Sequence, residues 1–192
     1  MATYSKSEIE KIGNTIIFLA ERIPDLSKTK LLKLLYLAEE VYARKSHLPF
    51  LGLEFQVWQA GPVARDIFIE LSDEPNLLKN HIELNKTNEA TYIQNKAKFN
   101  DDEFNDSELE LLNFIVARFG GKSASELVTI THRKNSNWFR VASEKNLLTL
   151  FENGLTNSSD EKIDFTREMN EREKEIFTEQ KAFNQLVSYI NS

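Results

Sequence analysis

Cysteine is absent from the sequence, and proline and glycine are scarce, with four and six residues among 192. Without cysteine the chain cannot form disulfides, bind zinc through thiolates or use a thiol nucleophile. Few glycines leave little material for a phosphate-binding loop, and the Walker, dinucleotide-binding and G-x-S-x-G motifs are missing. The N-terminus has no signal-peptide pattern, and its apolar run Ile16 to Ala20 is far below the ~20 residues of a membrane span. We expect a soluble, cytoplasmic protein without a membrane partner.

Positive charge is also in short supply. Lys and Arg number 24 against 30 Asp and Glu, which gives a net charge of -6 and argues against general nucleic-acid affinity. The segment from Arg118 to Arg140 is an exception, because it carries five cations and a single carboxylate, Glu126. These five are Arg118, Lys122, Arg133, Lys134 and Arg140. A nucleic-acid-binding transcriptional regulator is therefore the alternative function, although no recognition-helix motif accompanies the charge.

Length and apolar content predict one domain. A chain of 192 residues with 41% hydrophobic residues is long enough for one core and short for two. The periodicities predict a mainly α fold, with a small antiparallel β-sheet or hairpin. We place this helical domain at residues 5–142 and a C-terminal helical extension, docked on the domain, at residues 143–192.

Two helices are predicted at the N-terminus. Ser5 and Glu8 form a capping box, and apolar residues at helical spacing continue the first helix to about Arg22. The second helix carries a stripe that includes Leu31 and Leu35, and further apolar residues cover most of its circumference. A helix this apolar is typical of the centre of a domain.

Few charges interrupt this second helix. Lys33, Glu40 and Arg44 predict a narrow polar strip on its surface. For the lysines near its start, Lys28, Lys30 and Lys33, we favour solvated charges over an anion-binding patch.

A strand and a third helix are predicted next. Apolar and polar residues alternate from Leu53 to Trp58, the period of a strand. Gly61 and Pro62 then suit the start of a helix that runs to about Leu71. Trp58 has two interpretations: a core residue, which we favour, or an exposed anchor for a partner.

The middle of the chain predicts a small antiparallel sheet and two capped helices. The strands are expected at Ile82 to Leu84 and Thr91 to Ile93. The capping boxes are Ser107 with Glu110 and Ser123 with Glu126.

Two helices are predicted in the C-terminal part, a short one at Phe139 to Phe151 and a long one at Thr166 to Ile190. In the long helix Ile176, Phe183 and Ile190 lie at intervals of seven. We expect this stripe to dock on the domain; the alternative is that it receives a partner.

No catalytic constellation is evident. His47 and His81 lie in predicted loops, outside any metal-ligand spacing, and the carboxylates of Asp101 to Glu103 suit a solvated surface. His132 is interpreted as a helix-end histidine, hydrogen-bonded to backbone carbonyls or to a side chain near Trp138; a ligand contact is the alternative. We predict no catalytic residue, no metal site and no cofactor.

Four segments in order carry a family resemblance: Lys30–Tyr36, Val57–Val63, Ser123–Leu127, and Thr131-His132 with Trp138. Over about Ile9 to Ala142 the chain resembles the Panacea domain, also called the SocA-like family. The resemblance implies a mainly structural role for the motif residues. These are Lys30, Leu31, Lys33, Leu34, Leu35, Tyr36, Trp58, Gly61, Pro62, Val63, Leu127, Thr131, His132 and Trp138.

The resemblance also implies a function. Members of the family are bacterial and phage antitoxins that neutralise diverse toxins, and one member delivers its toxin to an ATP-dependent protease. The expected partner is thus a cognate protein toxin, bound without catalysis, and the sequence leaves direct block and delivery to a protease both open. The candidate partner-binding residues are Trp58, Arg65, His132, Arg133, Lys134, Phe177 and Phe183.

Overall fold

The computed structural model describes the backbone of residues 4–190 and the side chains of all of these except 185 and 188–190. Within that range, eight helices and two antiparallel two-stranded sheets form the fold, with 51% helix, which confirms the mainly α prediction. The helices are Lys6–Arg22 (α1), Lys28–Ser46 (α2), Arg65–Glu70 (α3), Asp106–Phe119 (α4), Ala124–Thr131 (α5), Asn137–Glu144 (α6), Leu147–Glu152 (α7) and Glu171–Ile190 (α8). The strands are Phe55–Trp58 (β1), Gly61–Ala64 (β2), Ile82–Lys86 (β3) and Thr91–Asn95 (β4).

Helix α1 begins where the sequence predicts. Ser5 Oγ accepts from the Glu8 amide at 3.1 Å and Glu8 Oε2 accepts from the Ser5 amide at 2.8 Å, so the capping box is confirmed. Further along, a Cβ on Gly13 would lie 2.2 Å from the His81 ring. The missing side chain lets His81 pack against the helix, where its Nε2 lies 3.0 Å from Glu10 Oε2.

Helix α2 is the central helix, as predicted. Leu31 and Leu35 are 0% exposed, and the helix contacts α3, α4, α5, β2 and β4. With neighbours on so many sides, little of its surface is left for solvated charges. The predicted polar strip is therefore wrong at Lys33 and Glu40, which are 1% and 2% exposed, whereas the Arg44 side chain is 40% exposed.

Strands β1 and β2 form a tight hairpin. Trp58 pairs with Gly61 and Val57 with Pro62, so the predicted helix start at Gly61 and Pro62 is wrong, and α3 begins only at Arg65. Because β2 lies at a sheet edge, the missing N–H of proline is tolerated there.

Strands β3 and β4 confirm the predicted antiparallel pair. Ile82 pairs with Asn95, and Leu84 with Ile93. The Ile93 amide also donates to the Leu26 carbonyl at 2.9 Å. This bond attaches the hairpin to the loop between α1 and α2.

The N-cap of helix α4, Asn105, lies two residues before the predicted cap. Asn105 Oδ1 accepts from the Glu108 amide at 3.1 Å, and Glu108 Oε2 accepts from the Asn105 amide at 3.2 Å. The predicted box of Ser107 and Glu110 is therefore wrong. Asparagine caps a helix as well as serine does, and Asn105 precedes Ser107 in the chain.

Two helices replace the single one predicted from Phe139 to Phe151. Between α6 and α7, Asn146 has φ +56°, a left-handed conformation in which asparagine is enriched. The break lets both helices bury apolar side chains, among them Trp138 and Phe151. Before them, the predicted capping box at the start of α5 is confirmed.

The segment after α7 runs beside the first hairpin. We call residues 157–163 the strap. The Val57 amide donates to the Glu161 carbonyl at 3.0 Å, and the Ile163 amide donates to the Phe55 carbonyl at 2.8 Å. The strap therefore covers the edge of β1 that does not face β2.

Helix α8 begins at Glu171, later than the predicted start at Thr166. The Asn170 amide donates to Glu173 Oε2 at 2.8 Å, and the Glu173 amide donates to Asn170 Oδ1 at 3.0 Å. This reciprocal pair is a capping box, and it fixes the helix start.

Candidate functional site

Lys33 is a buried lysine that holds the first hairpin. Lys33 lies on α2, and its Nζ donates to the Pro62 carbonyl at 2.9 Å. Burial disfavours the ammonium form and lowers the pKa of Lys33 to about 7. The interpretation of Lys33 as a solvated charge is therefore wrong.

Two side chains from much later in the chain, His132 and Trp138, contact the same hairpin. Trp138 Nε1 donates to the Trp58 carbonyl at 3.0 Å. His132 lies with Nδ1 2.6 Å from the Val128 carbonyl and Nε2 3.0 Å from the Gln59 carbonyl, so either tautomer has an acceptor. Its ring centroid is 3.8 Å from that of Trp138. These are the contacts of a helix-end histidine.

Gly61 lets the hairpin lie close to α2 and to the end of α5. Its φ is +99°, and a Cβ there would lie 2.9 Å from Lys33 Cε and 3.0 Å from Thr131 Oγ1. Any side chain would therefore be strained and would collide with buried neighbours. We call Lys33, Gly61, Thr131, His132 and Trp138 the hairpin clamp.

The other motif residues lie around this clamp. Leu31, Leu34, Leu35, Tyr36, Val63 and Leu127 are buried in the core, and Lys30 Nζ donates to the Gly120 carbonyl at 2.6 Å. The structure thus brings the separate sequence motifs to one junction between α2, the first hairpin and the α5–α6 turn.

Two carboxylates on α2 are buried, although the sequence pattern did not single out Glu39 and placed Glu40 in a surface strip. Glu39 accepts from the amides of Phe50 and Leu51, each at 3.0 Å; burial raises the pKa of Glu39, and these amides oppose that rise. Glu40 accepts from the Tyr36 hydroxyl at 2.9 Å and pairs with Arg133 at 3.0 Å. The sequence did contain a signal for this burial, since a helix that is apolar on all sides has to bury its charges too.

The basic segment does not form a free patch. Three of its five cations have carboxylate partners: Lys122 with Glu126 at 3.8 Å, Arg133 with Glu40 at 3.0 Å and Arg140 with Glu168 at 2.6 Å. Such pairing weakens the attraction for phosphate on which the nucleic-acid alternative depends. Lys134 is exposed.

Trp58 is neither a fully buried core residue nor a fully exposed anchor. The side chain is half-buried, its ring meets Phe68 edge-on with centroids 4.9 Å apart, and its Nε1 donates to Gln56 Oε1 at 3.2 Å. Arg65, at the start of α3, is exposed. A role of either residue in partner binding stays a prediction.

The extension offers a different kind of surface. Phe177 is 7% exposed and packs with Ala43 and Met169, whereas Ile176 and Phe183 are 43% and 60% exposed. Docking of the seven-spaced stripe on the domain is therefore wrong for these two positions. The side chain of its third member, Ile190, lies outside the described residues.

Two further findings concern the described residues only. None of their helices is both long and apolar enough to cross a lipid bilayer. No group of three or more His, Asp or Glu side chains among them is arranged to hold a metal ion.

A family model described as "Antitoxin SocA-like, Panacea domain" matches residues 31–139. The match spans more than half of the chain, and the chain belongs to this family. Neither a curated protein nor a solved structure matches the chain. Family membership supports an antitoxin role in general. It also gives the hairpin clamp its context, since all five clamp residues lie inside the matched range.

Proposed function

We propose that the protein is an antitoxin that neutralises a cognate protein toxin in the cytoplasm by direct protein–protein binding, without chemistry of its own. The observation that carries the proposal is the family match over residues 31–139. The polar motif side chains of the clamp support a non-catalytic role, because Lys33, His132 and Trp138 all contact backbone carbonyls of the hairpin.

The distribution of apolar surface supports a binding role. Among the described residues, six large hydrophobic side chains are exposed, and Phe114 alone of these lies within the matched range. The other five are Leu150, Leu155, Ile176, Phe183 and Leu186. A shared scaffold with most of its exposed large apolar residues outside the family region fits a protein that binds an individual partner.

Co-expression tests the proposal. The gene adjacent to this one is expressed from an inducible promoter, alone and together with this chain. We expect growth arrest from the neighbour alone and recovery with the antitoxin, and the purified pair should co-elute in size-exclusion chromatography. A neighbour that is harmless alone, or whose toxicity this chain does not relieve, contradicts the proposal.

Neutralisation can follow binding by two routes. In the direct block the bound toxin is inactive, whereas in the adaptor route the chain delivers the toxin to an ATP-dependent protease. We propose the direct block. Rescue should then persist in cells that lack the ATP-dependent proteases, and toxin levels should not fall on co-expression. Rescue that is lost in those cells indicates the adaptor route.

A further inference from the structure

The outer face of α8 carries a continuous stripe. Ile176, Glu179, Phe183 and Leu186 are spaced by three, four and three residues, which places them on one side of the helix. From Ile176 to Leu186, ten residue steps, the stripe is about 15 Å long. Ile176, Phe183 and Leu186 are 43%, 60% and 56% exposed, and Glu179 is exposed as well. We call these four residues the α8 stripe.

The stripe is not the face that attaches α8 to the domain. Phe177, one residue and about 100° of helical rotation from Ile176, packs with Ala43 and Met169. On the same side His47 Nδ1 lies 3.4 Å from a Glu173 carboxylate oxygen. The helix is held through one face and presents a second apolar face to solvent.

Glu179 determines what can cover this face. It lies between Ile176 and Phe183, so a partner that buries the apolar side chains also removes water from the carboxylate. Such burial is unfavourable unless a cation pairs with the carboxylate. A purely apolar partner surface therefore does not fit.

We infer that the α8 stripe docks a basic amphipathic surface of the cognate toxin, in which a lysine or arginine lies between apolar side chains and pairs with Glu179. The inference rests on the proposed function and adds to it the place and chemistry of the contact.

A second copy of the chain fits less well. If two stripes met antiparallel, with Ile176 of one against Leu186 of the other, Glu179 would face Phe183. If they met parallel, Glu179 would face its own equivalent. Neither arrangement places a cation opposite Glu179, and both leave the carboxylate buried without compensation. An antiparallel register shifted to bring the exposed Arg172 of the other copy opposite Glu179 would leave Phe183 and Leu186 beyond the first residue of that helix, Glu171.

The test uses the toxin encoded by the adjacent gene, once wild-type chain is shown to relieve its toxicity. Binding is measured by calorimetry with a catalytically disabled toxin, for Phe183→Ala and for Glu179→Lys. We expect each substitution to weaken binding at least about tenfold, because both remove central contacts. Glu179→Gln should also reduce the salt dependence of the affinity.

Matched controls separate this surface from general effects. Phe114→Ala removes a phenylalanine that is 47% exposed on α4, and Glu89→Lys reverses an exposed charge in the β3–β4 turn. Both controls should bind within about twofold of wild type. Melting curves of Phe183→Ala and Glu179→Lys should match wild type, since both side chains are exposed.

The outcomes are distinguishable. If wild type neutralises and binds the toxin but the stripe variants do so equally well, the inference falls and the proposed function stands. If wild type neither binds nor neutralises, both fall. A wild-type chain that is dimeric by light scattering, and becomes monomeric with Phe183→Ala, assigns the stripe to a second copy and overturns the inference.

Discussion

The hairpin clamp buries polar side chains, whereas the α8 stripe exposes apolar ones. In the clamp, Lys33 and Trp138 are buried and donate to carbonyls of the hairpin. In the stripe, Phe183 is 60% exposed and Glu179 is solvated. The clamp side chains contact partners within the chain, whereas the stripe side chains stay exposed among the residues that the structure describes. Substitutions in the clamp should therefore change stability, and substitutions in the stripe should change binding.

The largest expected effect tests this contrast directly. Trp138→Ala removes a buried indole that is 2% exposed together with its bond to the Trp58 carbonyl. We expect a loss of about 3–5 kcal/mol in the free energy of unfolding, measured by urea denaturation. Phe183→Ala should change it by no more than about 0.5 kcal/mol. Similar losses for the two variants would abolish the distinction between the regions.

The next effect concerns pH and Lys33. Its pKa is about 7 in the folded protein against 10.5 for an ordinary lysine, so between these values the unfolded chain binds more protons. Stability from this group therefore rises with pH across that window, by at most about 1.4 kcal/mol per unit. Lys33→Met removes the rise, because methionine keeps the shape without the charge.

The measurement is the unfolding free energy of wild type minus that of Lys33→Met, from pH 7 to pH 10. We expect this difference to increase with pH. Lys45→Met serves as the control, since the Lys45 side chain is 68% exposed. A difference for Lys33→Met that stays constant would show that the ammonium is not held in a dry site.

A smaller effect should distinguish the two faces of α8. Phe177→Ala removes the buried anchor beside Ala43, and we expect local opening of the helix to become easier by about 1.5–3 kcal/mol. Hydrogen exchange over α8 should then be faster while the core remains protected. Ile176→Ala, the adjacent exposed position, is the control. Faster exchange with Ile176→Ala than with Phe177→Ala would mean that the helix docks through the other face.

The smallest effect is expected at the ion pair between α6 and the residues before α8. Arg140 Nη1 lies 2.6 Å from Glu168 Oε1, and Arg140 lowers the pKa of the Glu168 carboxyl. Both side chains are partly exposed, so a double-mutant cycle should give a coupling of about 0.2–1 kcal/mol that decreases with salt. The pair weakens as pH falls and the carboxylate is protonated. A coupling near zero would leave Phe177 as the main attachment.

Local signals in the sequence predicted much of the fold. The capping box of Ser5 and Glu8, and the apolar circumference of α2, depend on neighbours within a few residues. The clamp could not be derived in this way, because Lys33 and Pro62 are 29 positions apart and Trp58 and Trp138 are 80 apart. The resemblance identified these residues as a set without indicating their contacts. Gly61 and Pro62 were misassigned because a helix start and an edge strand suit them equally.

The sequence alone determined the family, the mainly α class and the central position of α2, because these follow from ordered motifs and from periodicity along the chain. Tertiary structure decided which charges are buried and which face of α8 is exposed. Periodicity shows that a helix has apolar residues on two sides, but only the neighbouring elements select the side that packs. For α8 that selection buried Phe177 and left Phe183 in solvent.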